Sequence, residues 1–368
     1  MPSAPRLRIP YSLWLDSLMQ SGSSVRSPSV RLSAAGSIEH RKCMPEQPLI
    51  SVVIPVYNGA NSIGRAVASV LEQSLTNFEI IVVDDGSTDS TREALQPFVP
   101  HLRLLEQTNA GPAAARNAGI AIARGEYIAF LDSDDAWLPD KLQLLVDAIE
   151  RNPAAVLAFS DVIPTDDHGL PLADSLIGSR FAHAPSMEEM LACWWPIYPS
   201  AVLIKRATVT TCGGFDEGFD RPGYEDPLLW LKARQLGEFA YVDRPLTCYR
   251  HLREQERMAK YAPGVLVFAD RVRRHFGDAG EVLIRGLFDA HVGILSNAGL
   301  AAMAEGDMRR AREAFRSVLV YYPRHTRTLL RIARTLLPLP LVNALSSKRR
   351  RARWATQRAQ SVALNGEI

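Results

Sequence analysis

Asp132-Ser133-Asp134 closes an apolar run, and residues two apart in an extended segment point the same way. Two carboxylates at the end of a buried strand therefore face one cavity, where their repulsion is costly without a cation. A hard divalent ion such as Mg²⁺ or Mn²⁺ fits, taking one or two carboxylates plus phosphate oxygens. The same residues also suit an acidic loop that caps a helix before Leu138-Pro139-Asp140. A second acidic group, Asp84-Asp85-Gly86-Ser87, ends another apolar run, although turn propensity alone would put these residue types there. Arg116 follows Gly111 at a helix start and can offer a charge-assisted fork to a base, a ribose or a phosphate. It reads equally as a surface helix arginine.

The elements that must hold these groups alternate. Leu49 to Val56 is a continuous β-branched run, as expected of a strand buried on both faces. Ile63, Ala66, Val67, Val70 and Leu71 follow at helical spacing. Phe78 to Val83, about 102–106 and Glu126 to Leu131 read as further strands, with helices between them. This alternation predicts an α/β fold, a doubly wound and mostly parallel sheet with helices on both faces. Ligands of such sheets bind outside the carboxyl ends of the strands, where both acidic groups fall. Residues 161–224 look less regular and contain Trp194 and Trp195, which suit either sugar stacking or core packing. Beyond about 260 the pattern is helical, and Gly299 to Pro323 resembles one tetratricopeptide-like hairpin. One such unit cannot bury its own face, so an α-helical C-terminal extension packed on the first domain is expected.

The 368 residues have a net charge of +2, which conceals an asymmetry. Residues 1–43 sum to +4, residues 321–368 to +9, and the body between them to −11. Apolar residues make up 47% and charged ones 22%, which excludes a wholly disordered chain. Four scattered cysteines form neither a disulfide framework nor a zinc site, so a reducing, cytoplasmic location is expected. No apolar run is long enough to span a bilayer. The expected organisation is a disordered basic tail (1–47), a catalytic domain (48–260), a helical extension (261–346) and a basic C-terminal tail (347–368).

Four motifs in order carry a resemblance. Ser51-Val52-Val53-Ile54-Pro55-Val56-Tyr57-Asn58-Gly59, Val83-Asp84-Asp85-Gly86-Ser87-Thr88-Asp89, Ala115-Arg116-Asn117-Ala118-Gly119 and Gly125 through Asp135 resemble family 2 glycosyltransferases of the GT-A fold. The likeness covers about residues 48–250. It implies that Pro55, Tyr57 and Asp85 hold the nucleoside of a nucleotide-sugar donor, with Asp85 accepting from the base edge. Arg116 matches a basic residue near the nucleotide. Asp132 is implied at the ribose and metal, and Asp134 at a divalent ion, Mn²⁺ or Mg²⁺, bridging the diphosphate. Glu225-Asp226 resembles the family's acceptor-side pair, with Asp226 as the base and Glu225 as a positioning residue. A carboxylate at a helix N-terminus has its pKa lowered by the dipole, so Asp226 is expected to be ionised. His251 matches a position where some members place a further metal ligand, and a structural histidine is the alternative.

The resemblance thus implies an inverting, metal-dependent transferase. It would move a sugar from a donor, a UDP-sugar, to a hydroxyl of a glycan or lipid-linked acceptor. Processive synthases of the family carry Gln-x-x-Arg-Trp after the Glu-Asp region, whereas here that stretch reads Arg253-Glu254-Gln255-Glu256-Arg257-Met258. A non-processive enzyme is therefore expected. A nucleotidyltransferase is the enzymatic alternative, but Tyr57-Asn58-Gly59-Ala60-Asn61 lacks the basic residue that its phosphate loop needs. A non-enzymatic binding module is the other. Nucleic acid is not expected as a partner, because the basic residues lie at the ends of an acidic body. Beside an amphipathic Leu/Pro segment, the C-terminal cluster suits either an anionic membrane surface, placing the enzyme peripherally on the inner face, or a solvated tail.

Overall fold

The computed structural model describes residues 47–178, 181–193, 195–219, 224–251, 264–322 and 326–336. The N-terminal stretch, Trp194 and the basic C-terminal segment lie outside these residues. Among the described residues, eight strands form one sheet: β1 (Ile50–Val56), β2 (Phe78–Asp84), β3 (Arg103–Glu106), β4 (Tyr127–Phe130), β5 (Ala136–Trp137), β6 (Ala155–Thr165), β7 (Val202–Lys205) and β8 (Glu238–Arg250). Their order is β3-β2-β1-β4-β7-β6-β8-β5. The β1–β2, β2–β3, β1–β4 and β6–β8 pairs are parallel, while β7 runs antiparallel to β4 and β6, and β5 runs antiparallel to β8.

The helices are α1 (Ile63–Leu71), α2 (Thr91–Leu95), α3 (Pro112–Ile122), α4 (Lys141–Arg151), α5 (Met187–Ala192), α6 (Arg206–Thr211), α7 (Glu225–Leu236), α8 (Gly264–Phe276), α9 (Glu281–Glu305), α10 (Met308–Tyr321) and α11 (Thr326–Arg334). From β1 the chain builds outward through β2 and β3, then returns to place β4 on the other side of β1. The ends of β1 and β4 therefore meet where the winding reverses, the position at which an open α/β sheet offers a crevice.

Strand alternation sorts the core into two layers. Val53, Ile81, Val83, Ile128 and Phe130 face one side, with Leu228, Trp230, Phe268 and Leu283. Val52, Ile54, Ile80 and Val82 face the other, with Ile63, Val67, Leu142 and Leu145 of α1 and α4. Because β1 lies between two neighbours with both faces covered, all seven of its residues are buried. Each such Val or Ile contributes roughly 1.5–3 kcal/mol by leaving water. Pro55 is tolerated within β1 because pairing to β4 ends at Val53↔Phe130, before the missing N–H matters. Leu283, Ile284 and Leu287 of α9 belong to the same core layer as Phe130, so the helical extension packs on the sheet domain.

The least regular stretch in the sequence holds more order than its pattern shows. β6 runs 11 buried residues from Ala155, and β7 follows it in the sheet. Ser160 and Asp161 hide the strand from pattern reading. Asp161 sits at a break in register, where it accepts from the Val162 and Ile177 backbone N–H groups. A bulge places a buried carboxylate where an alternating pattern would put an apolar residue.

Candidate active site

The C-terminal ends of β1 and β2 are tied to each other by side chains. Asn58, at φ 52, donates its backbone N–H to Ser87 Oγ and accepts at Oδ1 from Thr88 N. Gly59 N donates to Thr91 Oγ1 and Ala60 N to Asp89 Oδ2. This leaves Tyr57 at the mouth, 51% exposed, with Pro55 buried beneath it in the strand. Asp85 is buried, and its two oxygens accept from Ala110 N, Gly111 N and Gln107 Nε2, each at 2.8 Å. The sequence reading gave Asp85 to a base edge. Here Oδ1 takes two of these donors and Oδ2 one, so the carboxylate also braces the loop entering α3. Gly86 permits the turn at φ 76, where a Cβ would meet Asn109 N at 2.9 Å.

Past β4 the chain turns into the second acidic group. Asp132 N donates to Ser200 Oγ at 3.0 Å, and Ser200 O accepts from Trp137 Nε1 and Thr247 Oγ1. Ser200 thus pins the aspartate loop to β5 and β8. Arg116 on α3 pairs with two carboxylates. Its Nη2 lies 2.7 Å from Asp132 Oδ1 and its Nη1 3.1 Å from Glu225 Oε1. Its guanidinium also lies 5.2 Å from the centre of the Phe215 ring. The Arg116 side chain is 6% exposed and that of Glu225 3%, so this is a buried cation shared by two carboxylates. Burial opposes its charge, but Asp132, Glu225 and Asp226 together raise its pKa above the ordinary value. The buried Nε makes no hydrogen bond.

Asn117, next on α3, donates through Nδ2 to Phe215 O and accepts at Oδ1 from Phe215 N. It clamps the loop that brings Phe215 against Arg116. Neither Asn117 nor Ser200 was singled out from the sequence, because their work is done through backbone groups of distant segments.

Glu225 and Asp226 open α7 as expected, with Tyr224 N donating to Glu225 Oε2. The protonation of Asp226 differs from expectation. Loss of water and the adjacent Glu225 push its pKa up to about 8, against the pull of Arg116. Desolvation beside a like charge outweighs the helix dipole here.

Asp134 faces a second arginine. Arg250 Nη1 lies 3.2 Å from Asp134 Oδ2, and its Nε 2.8 Å from Asp167 Oδ1. Burial and Asp132 raise the Asp134 pKa against that pairing. Asp135, deeper still, has its pKa raised by burial and by Asp134, against hydrogen bonds from Ser200 and the Arg250 backbone N–H. His251 hydrogen-bonds through its backbone N to Thr165 O, and its ring centre lies 6.5 Å from that of Tyr249. Among the described residues, no three His, Cys, Asp or Glu side chains gather at metal-binding geometry. Asp132 and Asp134 offer hard oxygen donors, a set that suits a cation taking its other ligands from phosphate and water. Trp195 is core: it is buried and meets Phe181 edge-on at 4.9 Å. No helix among the described residues is long and apolar enough to cross a membrane.

Residues 51–198 match the family model described as "Glycosyl transferase family 2". The amylovoran biosynthesis glycosyltransferase AmsB of Erwinia amylovora is 34% identical over 212 residues, covering 54% of this chain and 68% of that protein. The putative teichuronic acid biosynthesis glycosyltransferase TuaG of Bacillus subtilis is 40% identical over 144 residues, 38% of this chain and 54% of its own length. The chain spans only 29% of the Escherichia coli chondroitin synthase, to which it is 30% identical. Among solved structures, S. aureus TarS 1-349 superposes with a TM-score of 0.53 at 20% identity, over 81% of this chain and 87% of that one. That likeness shows the fold, which is GT-A.

Proposed function

The chain belongs to glycosyl transferase family 2, and we propose that it moves single sugars from a nucleotide-diphosphate donor, a UDP-sugar, to a hydroxyl of a glycan or lipid-linked acceptor. The Arg116 fork carries this reading. It ties Asp132, on the donor side, to Glu225, on the acceptor side, which supports a single cleft serving both substrates. A role in cell-surface polysaccharide synthesis is supported by relatives named for teichuronic acid and amylovoran biosynthesis.

In the proposed reaction the acceptor hydroxyl gives its proton to Asp226 while its oxygen attacks the anomeric carbon. Attack comes from the face opposite the diphosphate, so the bond to the diphosphate breaks in the same step and configuration inverts. A base with a pKa of about 8 is well matched to this task, since proton transfer is most effective when the base is poised near the working pH. Glu225, fixed by Arg116, holds the first turn of α7 and so the direction of Asp226. Tyr57, Pro55 and Asp85 form the nucleoside end. Asp134 and Asp132 would hold a divalent ion, which when bound supplies positive charge to the departing diphosphate.

Thermal-shift titration with nucleoside diphosphates tests the donor half. UDP with Mn²⁺ is expected to raise the melting midpoint of the native protein, and to do so much less in Asp134→Asn. A panel in which no nucleotide moves the midpoint, with or without Mn²⁺, would overturn the reading.

A further inference from the structure

The last described helix is built inside out. Thr328 and Thr335 are buried against the rest of the helical extension, while Leu329, Leu330 and Leu336 are 46%, 65% and 70% exposed. Ala333 is exposed as well. Leu329 and Ala333 are spaced i and i+4, which puts them on one side of the helix with Leu330 beside them, and Leu336 follows in the turn after its end.

Contacts on the inner side fix this rotation. Ile332 packs against the cluster of Ala302, Ala311 and Phe315. Arg312 Nη1 donates to Thr335 O at 3.0 Å. Arg331 lies with its guanidinium 5.8 Å from the Phe315 ring centre. Turning the leucines inward would break all of these contacts, so the apolar stripe is a stable feature of the surface.

Charge selects what covers the stripe. Arg327 is exposed on α11, and residues 321–368 carry ten basic groups against the single acid Glu367. The body of the chain is acidic by comparison. A leucine stripe in a stretch of sequence this rich in basic residues is the pattern of a helix lying in the headgroup layer of an anionic bilayer. A second copy of the same cationic region would instead bring like charges together.

We propose that the outer face of α11 and the turn that follows it dock this chain on an anionic lipid surface, with Leu329, Leu330 and Leu336 entering the apolar boundary and the exposed Arg327 meeting lipid phosphates. The proposal stands apart from the sugar-transfer reading, since it rests on no residue of the cleft.

Vesicle flotation of the full chain tests it. The native protein is expected to float with mixed phosphatidylcholine–phosphatidylglycerol vesicles at low salt, to be released by high salt, and to ignore pure phosphatidylcholine. The triple variant Leu329→Ser/Leu330→Ser/Leu336→Ser is expected to lose roughly tenfold or more in partitioning, with its circular dichroism melt unchanged. Should that variant fail to fold, Leu330→Trp provides a second reading: its fluorescence should be quenched by brominated acyl chains in anionic vesicles. Equal flotation of native and triple-variant protein, or an unquenched tryptophan, would overturn the proposal. So would a native dimer that the leucine substitutions dissolve, because the face would then be covered by a second copy.

Discussion

Replacing Arg116 by Met removes one buried cation from between two carboxylates and keeps the unbranched stem about as far as Nε. The guanidinium lies 2.7 Å from Asp132 Oδ1 and 3.1 Å from Glu225 Oε1. Coulomb attraction at such separations is of order 4 kcal/mol per pair at an effective dielectric of about 20, before desolvation is subtracted. The variant also takes the cation away from the buried Glu225, and breaking a buried pair from one side typically costs about 3–5 kcal/mol. At roughly 2–4 °C per kcal/mol for a domain of this size, the melting midpoint should fall by about 10 °C. Thermal melts by circular dichroism at neutral pH read this directly. Two companions separate charge from bulk. Arg116→Lys keeps the charge without the fork and should fall between native and Met. Arg116→Met/Glu225→Gln should recover part of the loss, because the glutamine needs no cation. A midpoint for Arg116→Met within about 2 °C of native would refute the argument by the same conversion. So would a double variant less stable than both single ones.

Three further outcomes follow from other groups. Asp226 must be deprotonated to act as base, so kcat/KM should rise about tenfold per pH unit below a pKa near 8 and level off above it. Asp226→Asn should lose the rate and that limb together, and a flat profile for the native enzyme would count against the base. At Glu79, burial raises the pKa, but hydrogen bonds from Ser51, Arg124 and Arg103 outweigh it and hold the carboxyl below its ordinary 4.5. Its contribution is therefore present above pH 4.5 and lost as pH falls through the lower folded value. Glu79→Gln should cost about 2 kcal/mol at pH 7 by urea unfolding, with the gap closing at acid pH. An undiminished gap at acid pH would contradict this. Arg250 occupies one oxygen of Asp134, so Arg250→Ala should tighten Mn²⁺ binding as read by electron paramagnetic resonance, whereas weaker binding would make Arg250 a helper of the ion.

The strands that bear the site were legible because they are buried on both faces. β1 and β2 read as largely apolar runs, interrupted by the buried Ser51 and Glu79, and acidic residues fall at or just past the ends of β2 and β4. The pairing of Glu225-Asp226 with the start of α7 was also readable, since acidic residues ahead of an apolar segment mark a helix N-terminus. Electrostatics was not readable. Arg116 stands 109 positions from Glu225, and nothing local in either segment tells that they share a buried ion pair. The Asp226 pKa was misjudged for the same reason: the helix dipole is written in local sequence, while desolvation is a property of the assembled cleft. Arg250 was passed over in favour of the neighbouring His251, although an arginine beside a suspected metal ligand was the available signal. β6 escaped because its bulge at Asp161 breaks the alternation by which strands are recognised.

The central claim is that one cleft runs nucleotide-sugar chemistry with Asp134 on the donor side and Asp226 on the acceptor side. Its most direct test is the release of nucleoside diphosphate from a panel of nucleotide sugars, measured with Mn²⁺ for the native protein, Asp134→Asn and Asp226→Asn. The native protein should turn over at least one UDP-sugar, and the Asp226→Asn variant should lose about 10²–10⁴-fold. Asp134→Asn should also lose turnover, with both variants folded. Near-native turnover in either folded variant would contradict it.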